Sequence, residues 1–261
     1  MNDETMSVPE QVQATTEVIL ETCLECRTSY TPPADLAALQ DSPWFIQRGL
    51  CSETCGERWL DSKLKDSGLP VRYRRMTLAG FDPYVSTLRD KLYRAWTWVR
   101  SNPGVGLFLS GAVGSGKTHL AAGAMREMCR RGLRTAYTHS FQFVAGCQAA
   151  TSQGRALADI VCASLRDGVD VLVLDDMGAE ITEDVGYHSI AFLIEICYAR
   201  DINLIATSNL SLGQVYELCP RVGSRLAEMV DELQFPEADY RLQLAQRRER
   251  QRETVNGGRV N

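Results

Sequence analysis

Residues 105–120 read VGLFLSGAVGSGKTHL: a short apolar run, a glycine-rich turn, then residues suited to a helix. Gly111 to Thr118 fit the spacing G-x-x-x-x-G-K-[ST], with Gly111, Gly116, Lys117 and Thr118 at its fixed positions. A strand before and a helix after are the context this spacing requires. Glycines let the backbone curl until its N–H groups face a chain of phosphates. A helix that begins at the lysine aims its positive end at the same place. Gly111, Gly114, Ser115, Gly116, Lys117, Thr118 and His119 are therefore expected to cradle a nucleotide. Lys117 would reach its terminal phosphates, and the Thr118 hydroxyl would be a ligand of Mg²⁺. A glycine-rich turn with a chance Lys-Thr is the plainer reading, and the flanks weigh against it.

A second apolar run, VLVLDDMGAE (171–180), ends in two adjacent aspartates. Like charges side by side at the end of a buried run are costly without a cation nearby. Beside a phosphate loop, Asp175 is expected to hold Mg²⁺, often through water, and Asp176 to orient or deprotonate an attacking water. Most proteins of this type carry Glu at the second position, and Asp is one methylene shorter. For Asp175 the plain alternative is a cap on the next helical turn. Glu180 is a further candidate for contact with water or DNA, or else a solvated acid.

Outward from these two runs, strand-like and amphipathic stretches alternate. RTAYTH (134–139), NLIATSN (203–209) and VDELQF (230–235) read as further strands. KTHLAAGAMREMCRRG, FQFVAGCQAA, ALADIVCASLRDG, GYHSIAFLIEICYARD and RVGSRLAEM read as helices, the first ending at Gly132. Such alternation implies an α/β fold, a parallel five-stranded sheet between helices. The 261 residues, 44% hydrophobic, suffice for one sizeable core and a small appendage. A net charge of −5 argues against a surface coated with basic charge for duplex DNA. No run of about 18 apolar residues is present, so no membrane partner is expected. The polar, acidic start lacks the pattern of a signal peptide, which makes the cytoplasm the expected location.

Four of the 9 cysteines cluster early, as Cys23-x2-Cys26 and Cys51-x3-Cys55. Two close pairs separated by a loop suit a tetrahedral Zn²⁺ with four thiolates and no open catalytic position. Metal binding would supply the stability that so short a segment lacks. Four unrelated thiols are the alternative. Cys129, Cys147, Cys162, Cys197 and Cys219 are scattered and read as small buried hydrophobes.

The loop alone does not separate kinase, GTPase, transporter and AAA+ ATPases. No guanine-reading N-K-x-D stretch is present. Asn209 closes the fourth strand, where a polar side chain can touch both water and γ-phosphate, although turn asparagines are common. Arg221 and Arg225 lie one helical turn apart, suited to reach a neighbouring subunit's phosphate or to be solvated. Arg241 follows the last strand. Together GLFLSGAVGSGKTHLAAG, VLVLDDMGAE, IATSNLSL, RVGSRLAEM and DYR resemble the DnaC/IstB-like branch of AAA+ ATPases, over roughly residues 76 to 245.

That resemblance implies ATP-dependent assembly on DNA. Arg225 matches the arginine finger, with Arg221 the runner-up; Asn209 matches the first sensor and Arg241 the second. Phe81 is a candidate for the adenine pocket or for core packing. The stretch from about 140 to 167 matches an insertion that faces DNA in the family, yet Arg155 and Arg166 are its only cations. The basic tail with Arg247, Arg248, Arg250 and Arg252 is an alternative DNA contact or a solvated helix end. The expected organisation is a flexible start (1–20), a zinc-binding partner module (21–62), a linker (63–75), the AAA+ domain (76–245) and a basic tail (246–261). By family architecture the zinc module would grip a replicative DNA helicase. DNA binding by the module is disfavoured because Arg27 and Arg48 stand nearly alone in its loop.

The expected activity is slow ATP hydrolysis, modulated by DNA or partner, in a homo-oligomer that loads the helicase and touches single-stranded DNA. The alternatives are a transposition helper ATPase acting on duplex DNA, and an adaptor that uses ATP as a switch with little hydrolysis.

Overall fold

The computed structural model describes residues 21–31, 49–83, 86–101, 104–165, 168–182 and 184–236, with 239, 240, 242, 245, 246 and 249. Arg241 lies outside the described residues, as do Arg48, Arg166, Arg247, Arg248, Arg250, Arg252 and the expected flexible start. The chain divides into two compact units, Met1–Glu57 and Arg58–Asn261.

The described part of the first unit is a knuckle and the start of a helix. Strands β1 (Glu21–Thr22) and β2 (Ser29–Tyr30) pair antiparallel, Glu21 opposite Tyr30. The turn between them is closed by Cys23 N–H to Thr28 O at 2.9 Å and Arg27 N–H to Cys23 O at 3.0 Å. Arg27 takes a positive φ of 62° to complete it. Helix α1 (Glu53–Asp66) opens with the Ser52 hydroxyl accepting the Cys55 N–H at 3.3 Å, a short polar side chain meeting an orphan donor. Because α1 runs to Asp66, residues 63–66 of the segment expected to be a linker are helical.

In the second unit, helix α2 (Ser86–Ser101) precedes a five-stranded parallel sheet. In chain order the elements are β3 (Gly106–Ser110), α3 (Lys117–Arg130), β4 (Thr135–His139), α4 (Ser140–Thr151), α5 (Leu157–Ser164) and β5 (Val171–Met177). A 3-10 turn (Ala179–Thr182), α6 (Asp184–Ala199), β6 (Asn203–Ser208), α7 (Leu212–Leu218), α8 (Pro220–Met229) and β7 (Val230–Gln234) follow. The strand order is β4-β5-β6-β3-β7, so the first strand of the sheet lies inside it and the chain returns to β3's far side only at β7. Such a reversal leaves a crevice beyond the carboxyl ends of the strands, the end at which Ser110, His139, Asp175, Asp176, Thr207 and Ser208 lie.

The apolar runs are continuous because both sheet faces are covered. All of β3 is buried, as is β5 except Asp176. One face packs into a cluster that includes Phe108, Leu172, Leu174, Ile190, Ile194, Leu204 and Leu226. Cys147, Cys197 and Cys219 join this cluster, Cys129 is also buried, and Cys162 is half-buried. Helix α3 ends where the sequence suggests: Gly132 is left-handed at φ 92°. Its N–H reaches Cys129 O at 2.9 Å, and that of Leu133 reaches Met128 O at 3.2 Å. That bond pair is the Schellman stop. Helix α7 opens with a reciprocal box between Ser211 and Gln214. The two helices read between the second and third strands are α4 and α5.

Candidate functional site

The phosphate loop leaves β3 and re-enters helix at Lys117. Gly116 caps α3 in the left-handed region, φ 102°, and a Cβ there would lie 2.9 Å from the ring of Phe81. Gly111, φ 130°, passes so close to β7's end that a Cβ would meet Phe235 O at 2.5 Å. Glycine is required at both positions by backbone conformation and by space. Phe81 therefore packs against the loop itself, and its ring meets His119 edge-on with centroids 5.4 Å apart. His119 Nε2 pairs with Thr77 O at 3.0 Å, and burial pushes its pKa down. Ser115 is fully buried in the loop. Residues beyond β7 return to the loop, where Tyr240 N–H meets Gly114 O at 3.1 Å and Tyr240 hydroxyl meets Asp82 Oδ2 at 2.9 Å.

Lys117 is buried and donates to Gly111 O and Ala112 O, both at 2.7 Å, and to Asn209 Oδ1 at 3.0 Å. Thr118 Oγ1 donates to Asp175 Oδ1 at 3.0 Å. Four residues from three distant segments thus meet at one end of the sheet: Lys117 and Thr118 on α3, Asp175 on β5 and Asn209 after β6. Asp175 is 2% exposed, and its charge is met by hydroxyls. Besides Thr118, Thr207 donates to Oδ1 at 2.7 Å and Tyr137 to Oδ2 at 2.8 Å. Neither Thr207 nor Tyr137 was expected at the site. For Thr207 the available signal was a polar side chain near the carboxyl end of an otherwise apolar run; Tyr137, in the middle of the mixed strand TAYTH, had no such signal.

Asp176 takes a different course. The register of β5 with β6 breaks between Leu174 and Met177, and Asp176 sits in this bulge at φ 59°. Its N–H donates to Thr207 Oγ1 at 2.8 Å. Its carboxylate is 55% exposed and lies 3.6 Å from His139 Nε2. Glu180 is half-buried, and its Oε1 accepts Gly178 N–H at 2.8 Å and the Ser140 hydroxyl. It ties the turn after β5 to the start of α4.

The arginine pair is not brought to the phosphate loop by any contact among the described residues. Arg221 Nε and Arg225 Nε lie 3.5 and 3.4 Å from the same oxygen, Glu195 Oε1 on α6. Arg225 also meets Glu228 Oε2 at 3.1 Å and stacks over the Tyr198 ring at 4.3 Å.

In the first unit, the Sγ atoms of Cys23, Cys26, Cys51 and Cys55 all lie within 4.8 Å of one another. Cys51 Sγ is 3.5 Å from Cys26 Sγ and 3.6 Å from Cys55 Sγ. Tetrahedral zinc–thiolate bonds of about 2.3 Å would place sulfurs roughly 3.8 Å apart, so the cluster has the donor type and the size for Zn²⁺. Cys51 N–H points at Cys23 Sγ, 3.4 Å away, a backbone donor that favours thiolate. The Thr28 hydroxyl lowers the Cys26 thiol to about 6. At the phosphate loop the oxygen donors Thr118 and Asp175 suit Mg²⁺, which takes one or two carboxylates together with phosphates. Among the described residues no helix is long and apolar enough to cross a membrane.

Comparison with known proteins agrees with this geometry. The model of the family described as IstB-like ATP binding protein matches residues 62–235. The crystal structure of the DnaC helicase loader superposes with a TM-score of 0.56 at 26% identity, covering 64% of this chain and 100% of that one. AMPPCP-bound DnaA from Aquifex aeolicus shares the fold, with a TM-score of 0.52 at 19% identity over 68% of this chain and 55% of that one. In sequence, the chromosomal replication initiator protein DnaA of Paraburkholderia phymatum is 30% identical over 187 residues, 67% of this chain and 35% of that protein. The chain spans about a third of the length of the curated relatives it matches.

Proposed function

The chain belongs to the IstB-like ATP-binding protein family, and on that premise we propose that it is an AAA+ ATPase that loads a replicative helicase onto DNA. The observation that carries the ATPase reading is the direct joining of Lys117 and Thr118 to Asn209 and Asp175. On this reading Lys117 exchanges its carbonyl partners for the terminal phosphates of ATP, and Asn209 turns to the γ-phosphate and the water. Thr118 and Asp175 hold Mg²⁺, which when bound neutralises the phosphate charge. Asp176, exposed at the bulge, orients or deprotonates the water. Arg225, and not a residue of the same loop, completes the site of a second copy as its arginine finger, with Arg241 as second sensor. The four-cysteine cluster holds Zn²⁺ and forms the helicase-gripping module.

The loader reading is supported by likeness to the whole DnaC helicase loader chain at 26% identity. Capture of a purified replicative helicase by the zinc-loaded protein, lost when Cys26 and Cys51 are replaced by Ser, is the expected result. Capture of a transposase instead, with no helicase bound, would overturn it. Steady-state turnover is expected to respond to single-stranded DNA, and negligible turnover under every condition would replace the enzyme by an ATP switch.

A further inference from the structure

Tyr137 joins the buried carboxylate of Asp175 to the segment that follows α1. Its hydroxyl donates to Asp175 Oδ2, and its backbone N–H donates to Ser67 O at 2.8 Å. Its ring meets that of Tyr73 edge-on, with centroids 6.3 Å apart and planes at 63°. Tyr73 in turn lies in a run of turns, with its N–H on Pro70 O and its carbonyl on Met76 N–H. The segment is pinned to the domain by Arg126 Nη1, which donates to Arg74 O at 2.8 Å. So the segment between α1 and the sheet is in contact with the one residue of β4 that touches the buried carboxylate.

An ionised carboxylate offers about four lone-pair positions. Thr118 and Thr207 take two on Oδ1, and Tyr137 takes one on Oδ2. The position left for a metal, or for a water bound to one, is therefore on Oδ2, the oxygen that Tyr137 holds.

We propose that Tyr137 is a positioning residue which fixes the direction of Asp175's last open lone pair, and that residues 67–73 set metal affinity at the nucleotide site through it. This rests on the reading of that site as one for Mg-nucleotide. It assigns to a stretch expected to be linker a part in tuning the site.

The test separates metal-dependent from metal-independent binding at equilibrium. A fluorescent ADP analogue is titrated with the full-length protein in EDTA and then across a series of Mg²⁺ concentrations. Tyr137→Phe should leave the affinity in EDTA unchanged and raise the Mg²⁺ concentration for half-effect by about 10-fold, the usual size for a partner of a metal-ligating carboxylate. Tyr73→Leu, which removes the aromatic brace and leaves the Tyr137 hydroxyl in place, should shift it the same way by less, and carries the test should Tyr137→Phe fail to fold. Wild-type Mg²⁺ dependence in both variants would overturn the proposal. Equal losses with and without Mg²⁺ would overturn it too, since a merely structural role lowers both. A wild-type chain that binds no nucleotide would remove the reading of the site, and this inference with it.

Discussion

Replacing Thr207 by Val isolates one oxygen. Thr207 is 1% exposed, and Oγ1 both donates to Asp175 Oδ1 at 2.7 Å and accepts Asp176 N–H at 2.8 Å. Valine keeps the shape and removes both bonds. A hydrogen bond to a charged group contributes about 1.5–3 kcal/mol, and a buried N–H left without an acceptor costs about 1–3 kcal/mol. Asp175 keeps Thr118 and Tyr137, and the exposed side of the bulge admits water, so the lower end of each range applies, about 2.5–4 kcal/mol together. The added methyl returns about 0.8 kcal/mol. The net loss, roughly 2–3 kcal/mol, corresponds to a Tm lower by about 5–10 °C in a chain of this size. Thermal unfolding of the nucleotide-free protein, followed by circular dichroism, measures it. Thr207→Ser, which keeps the oxygen and loses one buried methyl, should fall by only about 1 kcal/mol. If Val unfolds at the wild-type temperature, or if Ser is as damaging as Val, the hydroxyl does not hold the two aspartates in the way described.

The cysteine cluster should carry one zinc per chain by metal analysis, and Cys26→Ser or Cys51→Ser should abolish it. Arg225→Ala should lower turnover only in assemblies, so that mixing it with a Lys117→Ala chain restores activity at the mixed interfaces. Rescue by neither mixture order would remove the finger role. Asp170 accepts from Arg134 Nη2 at 3.0 Å, and this bond holds its carboxyl below the ordinary value. A depressed carboxyl stabilises above its unfolded pKa of about 3.9, and that contribution is lost as pH falls through the folded value. Asp170→Asn should therefore be less stable than wild type at pH 7 in urea, with the gap closing below pH of about 4; the pair is partly exposed and the gap small.

The central strands β3, β5 and β6 were legible because they are buried on both faces and so read as apolar runs, and the end of α3 because Gly132 carries a stop signal. The phosphate loop stood out by its fixed spacing along the chain, and Asp175, which meets Thr118 at 3.0 Å, by being an acid at the end of a buried apolar run. Tyr137 and Thr207 were not legible, since their roles depend on the strand order β4-β5-β6, which places three strands' ends side by side, and a polar side chain in a strand does not by itself say which neighbour it will face. The bonds of Glu180 were hidden for a related reason. Its acceptor role on Gly178 N–H arises from the turn's geometry, and a lone acid after Met-Gly carries no trace of it. Helices α2 and α7 went unread, α7 being only seven residues long and set by a capping box rather than by apolar periodicity.

The type of residue at position 176 also follows from the backbone. A left-handed conformation costs an ordinary L-residue about 1–2 kcal/mol, and Asp and Asn, with short polar side chains, enter it most readily after glycine. Asp176 holds φ 59° in the β5 bulge, with its N–H anchored on Thr207. A glutamate there would have one more methylene of reach and a less tolerant backbone. The bulge also resolves the repulsion between the two acids. In a regular strand, neighbours point to opposite faces of a sheet that is covered on both sides here, so both charges would be buried. The extra residue turns Asp176 outward to 55% exposure beside His139, while Asp175 stays at 2% among three hydroxyls. One charge is thus solvated by water and the other by the protein, and adjacent carboxylates become compatible at the end of a buried strand. The shorter acid suits that left-handed turn.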